Sequence, residues 1–357
     1  MDSIQSRRNT RLAWARSTLG NPDLTLASAS ADASFRSYWR TRYPESQSER
    51  QSWIVMDSPP AQEDPRPWLE IGDRLSAAGL HVPAVRAHDL QQGFLLIEDL
   101  GSRLYLPALN DGTVDALYGD AMDALLRMQT GVDVVGMQPY DEAFLRREME
   151  IMPEWLLGKH LGHTLDGDDA NVLEAAFEVL LNSALEQPRC FVHRDYHSRN
   201  LLIVEPDNPG TEIPGISALE LLSPGIIDFQ GALRGPITYD LASLLRDCYI
   251  VWDRERVEGW VESYRLRLLT AKSIDTTVDR ERFLRWFDLT GLHRHIRVLG
   301  QFYRLWYRDG KPGYLADVPR VYHYVVSVAR SYPELTDFVA LLERHAHGRD
   351  LTQVANA

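Results

Sequence analysis

One stretch restricts this chain more than any other, residues 190 to 230. It begins Cys190-Phe191-Val192-His193-Arg194-Asp195-Tyr196-His197-Ser198-Arg199-Asn200 and continues into Leu201-Leu202-Ile203-Val204. A second apolar run, Gly225-Ile226-Ile227, ends in Asp228-Phe229-Gln230. The two pieces have the forms H-x-D-x-x-x-x-N and I-D-F, each led in by a short apolar strand. A phosphoryl group in transfer spreads its negative charge over three oxygens. A site for it must therefore hold Mg²⁺ with oxygen ligands and aim one carboxylate at the attacking hydroxyl. Asp195 fits as that carboxylate, the catalytic base. Asn200 brings an amide oxygen toward the metal, and Asp228 enters from the next strand as the charged ligand. Val192, Leu202 and Ile226 anchor the backbone between them. The alternative, two buried strands ended by ordinary turn residues, does not account for both motifs following an apolar lead-in.

These residues resemble a known family. His193 to Asn200, Asp228-Phe229 and Tyr239-Asp240-Leu241-Ala242 look like the aminoglycoside phosphotransferase family, the small-molecule branch of the kinase-like proteins. More narrowly, Ser30-Ala31-Asp32-Ala33-Ser34-Phe35-Arg36, Val55-Met56-Asp57-Ser58-Pro59-Pro60 and Tyr307-Arg308-Asp309-Gly310-Lys311 are similar to the bacterial anomeric kinases of N-acetylmuramate and N-acetylglucosamine in cell-wall recycling. The resemblance implies an α+β, protein-kinase-like bilobed fold. Residues 1–100 would be a β-rich N-lobe covering ATP, and residues 101–357 a mainly helical C-lobe carrying the catalytic loop. It implies ATP as phosphate donor, adenine held by backbone groups of Glu98, Asp99 and Leu100, and Asp240 bracing the catalytic loop, with His193 as a second orienting residue. His197, Arg199 and Gln230, beside the motif carboxylates, are candidate substrate contacts. An aminoglycoside or other small alcohol is the competing acceptor, and a nucleotide-binding pseudokinase is the competing class.

Composition narrows the partners. A net charge of −13 with no basic run argues against nucleic acid or an anionic membrane. The two cysteines, Cys190 and Cys248, lie in apolar stretches and read as buried thiols of a reducing compartment. No apolar run approaches a membrane span and the N-terminus has no apolar signal region, so a cytoplasmic protein is expected. The resemblance implies a small amino-sugar partner, and a monomer is expected.

Two departures matter. Where the resemblance implies a glycine-rich loop over the phosphates, the connector Ser28 to Ser34 is built of small residues, with Ser30 and Ser34 as donors. The third strand, Ser52 to Asp57, carries Met56 where a lysine would grip the phosphates, and no lysine precedes Lys159. Arginine supplies 35 of the 38 basic residues, and Arg36 and Arg40 fall on one face of the second strand. A guanidinium can bridge two phosphate oxygens, so these two are the candidate replacements, with Glu70 on the following helix to orient one of them. Only eleven residues separate Asp228 from Asp240, and no Ala-Pro-Glu follows. That connector is too short to hold a polypeptide and favours a small substrate. Helices are expected over 6–19, 67–78, 113–129, 141–157, 168–185, 239–252, 257–269, 280–307, 318–332 and 335–344, with a surface loop over 206–224. Arg146, Arg147 and Glu148 read as a solvated face. Near the end of the 280–307 helix, Arg304 and Trp306 could line a sugar pocket.

Overall fold

The computed structural model describes residues 2–31, 35–44, 52–204, 224–346 and 348–353. Ser34 and nearly all of the expected 206–224 loop lie outside the described residues. The chain divides into two compact units, Met1–Val132 with Arg199–Gly231, and Asp133–Ser198 with Ala232–Ala357. This division by packing does not follow the lobe boundary expected at residues 100 and 101. Residues 101–132 and the described residues between 199 and 231 group with the N-terminal sheet instead.

In the first unit, α1 (Asp2–Leu19) precedes β1 (Thr25–Ala31), β2 (Ser37–Arg42) and β3 (Trp53–Asp57). Then come α2 (Arg66–Ala77), β4 (Val85–Asp89), β5 (Phe94–Glu98), α3 (Tyr105–Ala108) and α4 (Val114–Gly131). The strands form one antiparallel sheet in the order β1-β2-β3-β5-β4. Register and the period of two sort the side chains into two faces. Trp39 pairs with Val55 and Val55 with Leu96, and this face packs on Ala15 and Leu24. Tyr38, Arg40, Ile54 and Ile97 point to the other face, where a cavity lies. β1 runs on through Ser28 to Ala31, so the connector of small residues starts later than the sequence suggests. Ser30 itself pairs with Tyr38 across a bulge.

α1 is fixed by charge as well as by packing. Arg7 donates to Asp57 Oδ1 at 2.6 Å and Arg11 to Asp57 Oδ2 at 2.8 Å, with Asp57 only 3% exposed. The Arg11 guanidinium also lies over the Trp39 ring, 3.7 Å from its centroid.

The second unit is built around α9 (Arg280–Tyr307), which matches the expected helix residue for residue. Around it pack α5 (Glu142–Met149), a π-helix Pro153–His160, α6 (Gly167–Leu185), α7 (Tyr239–Leu245), α8 (Arg254–Thr270) and α10 (Val318–Ala329), and α11 (Thr336–Ala346) packs on α6 and α10. The single helix expected over 141–157 is interrupted at Glu150. Pro153, which has no N–H to donate, opens the wider π-helical turns. α7 stops at Leu245 instead of reaching Trp252, because the Asp247 carboxylate accepts from the Tyr249 N–H and closes a local turn. The strands Arg189–Val192 and Leu233–Pro236 pair antiparallel and lead into the Asp195 turn and α7.

α9 approaches the α5 to π-helix junction closely enough to require a missing side chain. A Cβ on Gly300 would lie 2.5 Å from the Ile151 carbonyl carbon and 2.6 Å from Met152 N, both backbone atoms. Gly300→Ala should therefore destabilise the protein by about 1–3 kcal/mol through overpacking. Denaturant midpoints measure this, and a neutral substitution would show that the two segments separate at little cost.

Candidate active site

The first unit contains a cavity of about 330 Å³. Its walls are apolar, with Ile54 and Ile97 from the sheet on one side and Leu104, Leu202 and Ile227 on the other. Asp99, Leu100 and Gly101, just past the end of β5, also line it. A mainly apolar cavity beside a strand end suits a heteroaromatic ring.

The side chains at that strand end are committed to structure. Glu98 accepts from the Ala84 N–H at 3.2 Å and meets His81 Nε2 at 3.2 Å. Asp99 accepts from Arg40 Nε at 2.5 Å and Nη2 at 2.8 Å, from Ser52 Oγ at 2.7 Å, and from the Gly101 N–H at 3.0 Å. Burial by itself would raise the Asp99 carboxyl, but this set of donors, Arg40 foremost, holds it below its ordinary value. Arg40 also donates to the Gly101 carbonyl at 2.9 Å. It is therefore not a free phosphate clamp, as the sequence suggested, but the brace of the segment after β5.

Arg36 is placed differently. Its guanidinium lies 3.3 Å from Asp228 Oδ1 and 3.3 Å from Glu63 Oε1, and its side chain is only 4% exposed. Glu63 thus occupies the orienting position expected of Glu70, which is exposed and pairs with Arg74 one turn along its own helix. The error has a physical cause. A carboxylate early in a helix has an i,i+4 partner at hand, whereas Glu63 reaches Arg36 from the turn before α2.

The two expected metal ligands adjoin one another. Asn200 Nδ2 is 3.5 Å from Asp228 Oδ2, and both residues line the cavity. Turning the amide over would present its oxygen at the same place, which makes a pair of hard oxygen donors suited to Mg²⁺. Gln230 Nε2 donates to Asp228 Oδ1 at 2.8 Å, so it holds the ligand carboxylate in the position where a substrate contact was expected. Asp228 has φ 64°, a left-handed conformation sustained by the pairing of the adjacent Gly225–Ile226 strand with Leu201–Leu202. Phe229 packs on Trp68 and against Gly72 of α2. Arg199 is exposed at the cavity rim.

In the second unit, the turn carrying Asp195 is held by buried carboxylates. Asp240 accepts from the His193 N–H at 2.6 Å and from the Arg194 N–H at 3.0 Å. Asp247 accepts from both the N–H (3.0 Å) and the hydroxyl of Ser198. Arg194 has φ 78°. His193 is buried, and its Nδ1 accepts from the Asp195 N–H at 3.3 Å. His197 packs edge-on against Tyr249.

Arg297 Nη1 lies 3.9 Å from Asp195 Oδ1, and the Asp195 carboxylate is 37% exposed. Burial would raise its pKa, but Arg297 first, then His197, Arg294 and Arg194, holds it well below the usual carboxylate range. Behind Arg297 lies Glu148, 5% exposed, which forms an ion pair with Arg297 Nε at 3.3 Å and accepts from Arg194 and the Tyr140 hydroxyl.

Sequence reading missed this group. It took Glu148 with Arg146 and Arg147 as a solvated face, yet only Arg146 and Arg147 face outward, and Arg146 pairs with Glu174 and Glu178. The usable signal was Arg294 and Arg297, three residues apart and so on one face of a helix that is largely buried. Arg304 and Trp306, expected in a sugar pocket, sit about two turns further along α9. There Trp306 stacks on Tyr307 at 4.7 Å, so one of its faces is already covered.

Arg40→Ala should cost about 1–3 kcal/mol, less than the ~3–5 of a fully buried pair because Arg40 is part-exposed and Asp99 keeps two other donors. Its effect on nucleotide use should appear as a raised KM. An unchanged KM for nucleotide would separate the brace from the cavity.

Burial pushes the Asp240 carboxyl up to about 7, opposed by the His193 and Arg194 N–H groups and reinforced by Asp195. A carboxyl raised in the fold binds more protons there than in the unfolded chain. Its contribution to stability is therefore complete below about pH 4 and is lost as pH rises through about 7. Unfolding free energy should fall across that window in the wild type. Asp240→Asn should start about 1–3 kcal/mol lower for its weakened acceptor and lack that component of the slope. Parallel pH curves for the two proteins would contradict the assignment.

Comparison with known proteins places this geometry. The model of the phosphotransferase enzyme family matches residues 25–284. The chain is 43% identical over 330 residues to an N-acetylmuramate/N-acetylglucosamine kinase of Pseudomonas aeruginosa, covering 92% of this chain and 91% of that protein. It is 40% identical to a protein of the same name from Pseudomonas putida, over 92% of this chain and 90% of the relative. Among solved structures, a thermostable mutant of the aminoglycoside phosphotransferase APH(4)-Ia aligns with TM-score 0.57 and 13% identity, over 90% of this chain and 99% of the other. That likeness concerns the protein-kinase-like fold alone. A match over residues 25–284, and relatives this similar across nine-tenths of their own length, establish that the chain belongs to the phosphotransferase enzyme family.

Proposed function

We propose that this protein is an ATP- and Mg²⁺-dependent kinase of the anomeric hydroxyl of N-acetylmuramate and N-acetylglucosamine, giving the sugar 1-phosphate for cell-wall recycling in the cytoplasm. The observation that carries the choice of acceptor is the 43% identity to a kinase named for those two sugars. The eleven-residue connector between Asp228 and Asp240 supports a small acceptor in its own right.

In this reading adenine occupies the apolar cavity, with the backbone of Glu98 to Leu100 reading its edge. Asn200 and Asp228 hold Mg²⁺, which when bound draws charge from the phosphate oxygens. Arg36, the cation beside Asp228, takes the part of the absent strand lysine, and Glu63 orients it. Asp195 accepts the hydrogen bond of the anomeric hydroxyl and then its proton. The sugar oxygen bonds to the γ-phosphorus as the bond from that phosphorus to the bridging oxygen breaks, and ADP leaves. A hemiacetal hydroxyl gives up its proton more readily than an ordinary alcohol, so a carboxylate whose basicity is lowered by Arg297 suffices. What Arg297 gains for the site is a carboxylate kept ionised and held in one orientation.

Asp195→Asn should lower turnover by about 10²–10⁴ with little change in nucleotide affinity. The acceptor is tested by phosphorus NMR of products from a panel of reducing amino sugars and aminoglycosides. An acid-labile anomeric phosphate from the two sugars is expected. A phosphorylated antibiotic alone would move the activity to another acceptor, and no product from any of them would leave a nucleotide-binding pseudokinase.

A further inference from the structure

The second unit also contains a group of side chains that phosphoryl transfer does not use. His163 lies on the turn after the π-helix, Asp169 in the first turn of α6, and His345 in the last turn of α11. One ligand-capable atom from each lies within 4.8 Å of the other two. His163 Nε2 and Asp169 Oδ2 are 2.6 Å apart, and Asp169 is 4% exposed. The two imidazoles stack with centroids 3.7 Å apart.

A hydrogen-bonded His–Asp pair accounts for His163 and Asp169. It does not account for His345. That ring lies against the imidazole that pairs with the carboxylate, and its Nε2 is buried with no hydrogen-bond partner among the described residues. A buried polar nitrogen without a partner costs free energy unless something occupies the place it faces.

We propose that His163, Asp169 and His345 bind one Zn²⁺, which ties the turn after the π-helix and the start of α6 to the C-terminal helix α11. Two imidazole nitrogens with one carboxylate oxygen, and a fourth position left to water, is a donor set that suits zinc and not the all-oxygen preference of Mg²⁺. Bonds of about 2.0–2.2 Å place ligand atoms of a tetrahedral ion roughly 3.3 Å apart. His163 Nε2 and Asp169 Oδ2, 2.6 Å apart, therefore have to open by roughly 0.7 Å, while the separations to His345, at most 4.8 Å, close by at most about 1.5 Å. The stacked rings turn apart about their χ torsions as they do so, because a ring nitrogen's lone pair lies in its ring plane. Gly162, with φ 67°, precedes His163 and sets that turn. Asp169 Oδ1 also meets Arg344 at 3.4 Å, but the Arg344 side chain is 64% exposed and can turn into solvent when the ion enters.

The test uses the full-length protein, stripped with a chelator and titrated calorimetrically with Zn²⁺ in excess Mg²⁺. The wild type should take up one Zn²⁺ and melt at a higher temperature with it. Loss of an outer-shell partner alone weakens metal sites by about 10–100-fold, so loss of a ligating ring in His345→Gln or His163→Gln should weaken Zn²⁺ by about 100-fold or more. Both variants should melt like the metal-free wild type when no zinc is added, which separates loss of the ligand from failure to fold. Co²⁺ in place of Zn²⁺ should give the visible bands of a four-coordinate ion in the wild type only. Absence of saturable Zn²⁺ uptake, or uptake equal in both variants (an adventitious ion only), overturns the proposal. Neither result bears on the kinase reading, because turnover is not the quantity measured.

Discussion

A buried carboxylate gripped by arginine recurs through this molecule, and most of its working parts hang on that contact. Asp57 takes Arg7 and Arg11, Asp99 takes Arg40, Glu148 takes Arg194 and Arg297, and Asp288 takes Arg246 and Arg254. Each carboxylate is at most 7% exposed at its side chain. Removing such charges from water costs several kcal/mol per ion, and the pairing offsets this only when the geometry is good and the remaining lone pairs are satisfied. A guanidinium meets that condition better than an ammonium, since its planar fork matches a carboxylate and is less strongly hydrated. A chain with three lysines has its cations in the form that tolerates burial. Such pairs do more for uniqueness of position than for net stability, and position is what a phosphoryl-transfer site needs.

The motif turns follow the same logic at shorter range. Arg194 and Asp228 both sit at positive φ, which L-residues adopt at a cost. At Arg194 the cost is met by Asp240 accepting two consecutive N–H groups. At Asp228 it is met by the two-residue strand pairing and by Phe229 filling the space beside Gly72 and Trp68. The turn at Arg194 leads directly into Asp195, and Asp228 is itself the proposed charged ligand. Backbone strain and function coincide in this chain because a tight turn directs a short side chain, and the surroundings fix the direction.

Much of this was legible in the sequence because it is local. The H-x-D-x-x-x-x-N and I-D-F spacings, the sheet, and a 28-residue α9 with correct ends all follow from periodicity and turn chemistry within a few residues. What was lost depends on long-range partners. Glu148 reads as surface until Arg194 and Arg297 are seen beside it, 46 and 149 positions away in the chain. Arg40 reads as a phosphate ligand until Asp99, 59 positions on, claims it. Glu70 lies on a helix, which periodicity reveals, whereas Glu63 lies in a turn that carries no such signal. The break at Glu150 was hidden by a continuous apolar stripe, although Pro153 was in plain view.

The absent lysine of β3 is where these threads meet. Met56 is fully buried on that strand, and the next residue, Asp57, is already held by two arginines of α1. A lysine at Met56 would add an ammonium within a residue of that charged cluster, on a strand whose neighbours are buried. The register offers another route, since Ser37 pairs with Asp57 and so brings Arg36, one residue earlier, to the same end of β3 from the adjacent strand. Its guanidinium there lies between Glu63 and Asp228. On the proposed reading the cation and its orienting carboxylate come from the residue before β2 and from a turn, where kinase-like folds use β3 and a helix. On that reading the longer, planar side chain makes up the difference in reach, and the docking of α1 on Asp57 is what makes β3 a poor place for a lysine.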